Sequence, residues 1–226
     1  MLPPSDRVFA VGDTGTGKSY FLSRQVLPRY ARVIVLDVTG EMWLQRAALA
    51  GRAVQVDSAA AVVRQVQALA PLRSPWRIYA ALTEAETVKL CTALVPERIA
   101  TAPSLSRAVG GLAVYCDELE TVAGHSSDPM VNGLWNRGRH VYLTIIGATQ
   151  YPTSVKPLVR GASRLFVVGQ LGDPNAVDYL RRAGMPEKVM SWVESLQFQH
   201  LVLFDKRVRR GWLLDRDHRQ VDVFLP

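Results

Sequence analysis

Short apolar runs alternate with stretches of helical period along the whole chain. The runs are "RVFAV" (7–11), "RVIVLD" (32–37), "AVQVD" (53–57), "RIYAAL" (77–82), "GLAVYCDE" (111–118), "VYLTIIGATQ" (141–150) and "RLFVVGQ" (164–170). Runs of this length predict strands, and their apolar character predicts burial on both faces. Helices are predicted between them, from Gly17 to about Gln25 and from Ser58 to about Ala70, the second with Asp57 or Ser58 as N-cap. Thr83 and Glu86 have the spacing of a capping box for a helix running to about Leu94. Further helices are expected from about Pro129 to Arg137, from Asp173-Pro174 to a closing Gly184, and after Pro186. "FQHLVLFD" (198–205) and "RRGWLLD" (209–215) read as a closing antiparallel pair. Together these predict an α/β fold: a mainly parallel sheet flanked by helices, with an antiparallel C-terminal edge. No repeat, low-complexity tract or linker interrupts the pattern, so residues 1–226 are expected to form a single domain.

Composition narrows the setting. Apolar residues make up 48% of the chain, which excludes a disordered polypeptide. No apolar run is long enough to cross a bilayer, and "MLPPSDR" lacks the pattern of a secretory signal. Cys91 and Cys116 lie in apolar segments without metal-ligand spacing, which predicts buried thiols and a reducing, intracellular setting. The formal charge is +7, and 22 arginines stand against 5 lysines. Such a balance favours polyanionic partners, because guanidinium binds phosphate bidentately. GC-rich codon usage with a solvated surface accounts for it equally well.

The chemistry begins at "VGDTGTGKSY" (11–20). Gly12, Asp13, Thr14, Gly15, Thr16, Gly17, Lys18 and Ser19 fit G-x-x-x-x-G-K-[ST], between a predicted strand and a predicted helix. Backbone N–H groups of such a loop turn inward around phosphates. Lys18 would reach the β- and γ-phosphates and Ser19 would bind Mg²⁺, with Tyr20 closing the nucleotide-binding stretch. The motif resembles that of P-loop NTPases, and the resemblance implies a RecA/ASCE-like fold, with ATP and Mg²⁺ expected. "LAVYCDE" brings an acid pair to the carboxyl edge of a buried strand, where open α/β sheets bind ligands. Asp117 would hold Mg²⁺ through water, and Glu118 would act as general base on a water aimed at the γ-phosphate. "IIGATQ" puts Gln150 at the same edge, able to hold that water or sense the γ-phosphate. "NRGRH" (136–140) places Arg137 and Arg139 before the Gln150 strand, at its amino end. In a ring that edge can face a neighbour's nucleotide, so either is a candidate trans-acting finger. The bland alternative is a helix C-terminus where cations are favoured by the dipole.

These residues resemble the FtsK–HerA superfamily of ring-forming DNA-translocating ATPases. "VGDTGTGKS" is similar to its phosphate loop and "VYCDE" to its acid strand. "VIVLDVTGEMW" (33–43) resembles its second-strand motif, with Val38 where the family has proline and Met42 before the aromatic Trp43. "GRHVYLTIIGATQYPTSV" (138–155) resembles its arginine–strand–glutamine segment. The resemblance implies Lys18 and Ser19 for nucleotide and metal, Asp117 for metal, Glu118 as base and Gln150 as sensor. It makes Arg139 the preferred finger and Arg137 the second, gives Asp37 and Glu41 supporting roles, and lets Arg7 contact a nucleotide. The bare motor length is most similar to the genome-packaging ATPases of icosahedral viruses with an internal membrane. That implies a pentameric or hexameric homo-oligomer acting on double-stranded DNA at a capsid vertex or membrane-associated virion protein, in the host cytoplasm or on the virion. Segments 100–111 and 123–133 are candidate pore loops, and "KRVRR" (206–210) a candidate DNA or subunit contact. Other readings are a conjugation or phage-extrusion pump, a P-loop kinase of small substrates, and a non-catalytic assembly protein that only binds ATP.

Overall fold

Strand runs that are apolar at every position need cover on both sides, and the structure supplies it. A computed structural model describes residues 6–37, 40, 42, 51–95, 104–123 and 129–226. Ten strands form one sheet: β1 (Arg7–Val11), β2 (Arg32–Leu36), β3 (Arg52–Val56), β4 (Trp76–Ala80), β5 (Leu112–Cys116), β6 (Leu143–Thr149), β7 (Leu165–Val168), β8 (Leu201–Asp205), β9 (Arg210–Leu214) and β10 (Gln220–Phe224). Their order is β10-β9-β8-β7-β1-β6-β5-β2-β4-β3. From β7 to β3 neighbours run parallel, and β8, β9 and β10 add an antiparallel edge. The closing element is thus three strands rather than a pair. β10 alternates exposed Val221 with half-buried Asp222, too polar a pattern to read as a buried strand.

Alternate residues of each central strand enter opposite cores, as the two-residue side-chain period requires. Phe9, Val11, Ile34, Leu36, Val114, Ile145 and Phe166 pack on one face with helices α2 (Ala59–Leu69), α3 (Glu84–Leu94), α8 (Pro174–Arg182) and α9 (Glu187–Glu194). Val8, Ala10, Val33, Val35, Tyr115, Ile146 and Val167 pack on the other with Phe21, Leu22, Val26 and Leu27. Those four belong to the helical run after β1. It is α-helical over Lys18–Phe21 (α1), widens to a π-helical turn over Leu22–Val26, and tightens to a 3₁₀ turn over Leu27–Arg29. The helix predicted from Gly17 to about Gln25 is present, with changes of pitch that the sequence pattern does not show; Pro28, which has no N–H to give, sits in the closing 3₁₀ turn.

Other boundaries follow local chemistry. Ser58 caps α2 by accepting from the Ala61 N–H at 3.4 Å, and Thr83 caps α3 by accepting from the Glu86 N–H at 3.3 Å. The expected capping box forms only in this half. The Glu86 carboxylate instead accepts from the Ala59 N–H at 2.8 Å, stapling the start of α2 to α3. Asp173 caps α8 by accepting from the Asn175 N–H at 2.9 Å, and Gly184 follows it with φ 84°. Residues 141–142 do not join β6: a 3₁₀ turn over Gly138–Val141 leads to left-handed Tyr142, and the strand starts at Leu143. Short helix α4 (Leu105–Ala108) lies within the first candidate pore loop, α5 (Leu119–Ala123) follows the acid pair, α6 (Pro129–Arg137) is where a helix was predicted, and α7 (Pro157–Ala162) precedes β7.

At the amino ends of β1 and β7 lies an ionic clamp. Arg164 donates to Asp6 (2.9 Å) and to Asp205 (2.8 Å), and the carboxylate side chains are only 10% and 9% exposed. The clamp ties the segment entering β1 to β7 and to the end of β8.

Candidate functional site

The loop after β1 is held by its backbone. Gly12 passes so close to β7's exit that a Cβ there would lie 2.9 Å from Gly169 Cα. Gly17 takes φ 89°, a left-handed turn, and its carbonyl accepts the Phe21 N–H at 2.8 Å. A β-carbon at Gly17 would strain that conformation. Asp13 is an anchor: its N–H donates to Gln170 O at 2.8 Å, and its carboxylate accepts from the Gly172 N–H at 2.8 Å. Thr16 donates to Asp13 O at 2.8 Å. Gly12 and Asp13 thus shape the loop, while Thr14 to Tyr20 line a cleft of about 680 Å³. Lys18 is buried and its ammonium donates to Gly12 O (2.6 Å) and Asp13 O (2.7 Å). Burial pushes its pKa down, against the opposing pull of Asp117, Asp13 and Glu120.

The sheet order explains how the acids reach this loop. β6 lies between β1 and β5, so the ends of all three open on one cleft. Asp117 leaves β5 and its Oδ1 accepts from Ser19 Oγ at 2.9 Å. Tyr115 Oη donates to the same oxygen. Burial and the Asp117 charge push the Tyr115 phenol well up, so it remains a donor. A hydroxyl and a carboxylate oxygen side by side are hard donors that fit Mg²⁺, which binds through few protein oxygens and completes its shell with phosphate and water. Glu118 lines the cleft beside Asp117.

Gln150 follows β6 and is tied to the loop: Thr14 Oγ1 donates to Gln150 Oε1 at 2.7 Å. The Gln150 N–H donates to Glu120 Oε1 at 3.3 Å. Among the described residues Glu120 Oε2 is buried without a hydrogen-bond partner, and the residue lines the cleft. Sequence reasoning missed Glu120. The signal was the spacing of "DELE", which puts a further carboxylate in the first turn of the helix after the acid strand. It also missed Gln199, Arg216 and His218, which line the cleft mouth from the antiparallel edge.

The arginines lie at the other end of the sheet. Arg7, Asn136, Arg137, Arg139, His140 and Gly161 border a separate cleft of about 650 Å³ at the amino ends of β1 and β6. Arg139 is exposed and its Nε donates to His140 Nε2 at 3.2 Å. Arg7 is buried; it donates to Trp135 O and, at 2.9 Å, to Asn136 O, closing the C-terminal end of α6. Burial and the nearby Arg139 charge lower its pKa. Arg7 thus does not reach the phosphate loop of its own chain. The "KRVRR" run forms the β8–β9 turn at this same edge, with Lys206 donating to Gly161 O at 3.4 Å.

Asp37 is buried and accepts from the Met42 N–H at 3.1 Å. Glu41, Val38 and Trp43 lie outside the described residues, as do 100–103 and 124–128 of the two pore-loop candidates. Among the described residues no helix is long and apolar enough to cross a membrane.

No protein-family model matches the chain, and no curated protein matches it. Solved structures do. The genome packaging NTPase B204 from Sulfolobus turreted icosahedral virus 2, in complex with ATP-gammaS, is similar with a TM-score of 0.71 and 16% identity, over 98% of this chain and 100% of that one. The DNA-packaging ATPase B204 from Sulfolobus turreted icosahedral virus is similar with a TM-score of 0.68 and 13% identity, over 98% and 100%. VirB4 of Thermoanaerobacter pseudethanolicus has a TM-score of 0.54 and 9% identity, over 88% and 86%. At these identities the likeness is one of fold: the chain has the α/β architecture of these ATPases.

Proposed function

We propose that the chain is an ATP hydrolase that pumps viral double-stranded DNA into a preformed capsid, acting as a ring of copies. The observation that carries the hydrolase reading is the convergence of Lys18, Ser19, Asp117, Glu118 and Gln150 on one cleft. In this reading the loop N–H groups and Lys18 hold the triphosphate. Ser19 and Asp117 hold Mg²⁺, which supplies charge neutralisation at the β- and γ-phosphates. Glu118 takes a proton from the attacking water. Gln150, steadied by Thr14 and Glu120, orients that water and registers whether a γ-phosphate is present. A phosphotransferase for small substrates gains nothing from a carboxylate poised beside water, which disfavours the kinase reading.

The translocase reading rests on charge and placement. The edge carrying Arg7, Arg137, Arg139, Lys206 and Arg207 is basic and lies opposite the nucleotide cleft. In a ring it would meet the next subunit's triphosphate, with Arg139 as preferred finger and Arg137 second. Both B204 proteins are genome- or DNA-packaging enzymes, which supports the same assignment. The partner in this reading would be a capsid vertex or membrane-associated virion protein. The net charge of +7 suits a polyanionic track. Work would take place in the host cytoplasm or at the virion vertex, and residues 1–226 would act as one domain.

Steady-state phosphate release with and without duplex DNA, over a range of protein concentrations, tests this. DNA-stimulated turnover that rises steeply with concentration, and loses that steepness in Arg139→Ala, is expected. Turnover indifferent to both DNA and concentration would contradict the ring motor. A phosphorylated small-molecule product would contradict the hydrolase.

A further inference from the structure

The phosphate end of the cleft is accounted for, but its mouth is not. There the antiparallel edge leans over the start of α1. The β9–β10 turn is built around one carboxylate: Asp215 accepts from the Asp217 N–H at 2.9 Å and from the Arg219 N–H at 2.8 Å. Asp215 also donates its N–H to Arg219 O at 3.0 Å, and the His218 N–H donates to Asp215 O at 2.9 Å. These bonds hold His218 at φ 61°, a left-handed conformation uncommon outside glycine, in which histidine is enriched over most residues with a β-carbon. Gln199, before β8, is held at φ 63° and borders the same cleft.

The turn delivers an aromatic ring to a defined place. His218 meets Phe21 edge-on, ring centroids 5.0 Å apart at 83°. It also lies 5.7 Å from Tyr20 at 42°. The Arg24 guanidinium stands 5.5 Å from the Tyr20 ring centroid. Packing of the turn onto α1 is secured by buried Phe21; Tyr20 is 55% exposed and is not needed for it. Burial lowers the His218 pKa, opposed by Asp215 and Asp217, which favours the neutral imidazole. Tyr20 directly follows Ser19, so both rings stand just beyond the phosphate loop. A ligand anchored there by its phosphates would extend toward them.

We propose that Tyr20 and His218 form the seat for the nucleobase of the bound nucleotide, with Arg216 and Gln199 beside it to contact the polar rim of the heterocycle. This rests on the reading of the cleft as a nucleoside triphosphate site. Each ring contributes apolar stacking area, and each removal should loosen the base while leaving the phosphates held.

Calorimetric titration of the full chain with ATP and, separately, with inorganic tripolyphosphate separates these parts. Wild-type protein should bind ATP more tightly than tripolyphosphate. Tyr20→Ala and His218→Asn should each weaken ATP binding by about tenfold, the scale of one aromatic–base stack. Tripolyphosphate affinity should stay unchanged in both, and Tyr20→Phe should bind ATP as wild type does. Asn tolerates the left-handed backbone, so His218→Asn removes the ring without unseating the turn. Unchanged ATP affinity in both variants would overturn the proposal, as would a parallel loss of tripolyphosphate, which would mark a collapsed loop instead. If wild-type protein binds tripolyphosphate as tightly as ATP, the base seat is wrong and the phosphate site stands. If it binds neither, the nucleotide reading falls and this inference with it.

Discussion

Replacing Arg164 with alanine tests whether the ionic clamp beneath β1 fixes the phosphate-loop strand. The guanidinium reaches Asp205 with three hydrogen bonds of 2.8 to 3.2 Å and Asp6 with two of 2.9 and 3.1 Å. Removing one partner of a buried pair costs about 3–5 kcal/mol, because the remaining charge is stranded. Here the Arg164 side chain is 21% exposed, so water would screen the bereft carboxylates in part. Asp205 also keeps the Arg207 N–H at 2.9 Å. The low end, roughly 3 kcal/mol, is therefore expected. In a chain of this length that is a fall of about 6–12 °C in Tm by thermal melting. The pH dependence follows from Asp6. Burial already raises its pKa above 3.8, and Arg164 opposes that rise. Without Arg164 the folded-state pKa climbs further, so the folded variant binds a proton more tightly than its unfolded chain. That contribution weakens the fold as pH rises from the unfolded value through the folded one. The deficit against wild type should thus shrink as pH falls from 7 toward 5. A variant within about 0.5 kcal/mol of wild type at pH 7, the range of an ordinary surface change, would refute this reasoning. So would a deficit that grows on acidification.

Other substitutions probe the cleft. Gly169→Ala would put its Cβ 2.5 Å from Thr16 Oγ1. Thr16 must then shift, and a loss of roughly 1–3 kcal/mol in denaturant melts, with weaker ATP binding by calorimetry, is expected. Glu120→Ala removes the acceptor of the Gln150 N–H. Loss of one such hydrogen bond should lower kcat by about tenfold at most, with the KM for ATP little changed, in steady-state kinetics. A rise in KM alone would make Glu120 a part of nucleotide binding instead.

The legible parts of the molecule were those written in local patterns. β1 and β5 matched their apolar runs within a few residues, and Ser58, Thr83 and Asp173 cap where spacing put them. The grouping of Lys18, Asp117 and Gln150 was also legible, because each follows the end of a buried parallel strand. What was hidden depended on non-local partners. Glu86 has the capping-box spacing, yet its carboxylate goes to α2, a neighbour no local rule names. Arg7 looked like a nucleotide contact from its place before the loop, but the strand carries it to the opposite edge and buries it against α6. β10 escaped notice because an edge strand with a wet face lacks the apolar run of a central one. With it went Arg216 and His218, whose approach to the cleft depends on how the antiparallel edge folds over α1.

The most direct test of the central claim is a Glu118→Gln variant assayed with saturating ATP on duplex DNA. The account predicts that phosphate release falls by about 10²–10⁴-fold, the usual contribution of a positioned base, while ATP remains bound with wild-type affinity. Turnover equal to wild type would contradict it.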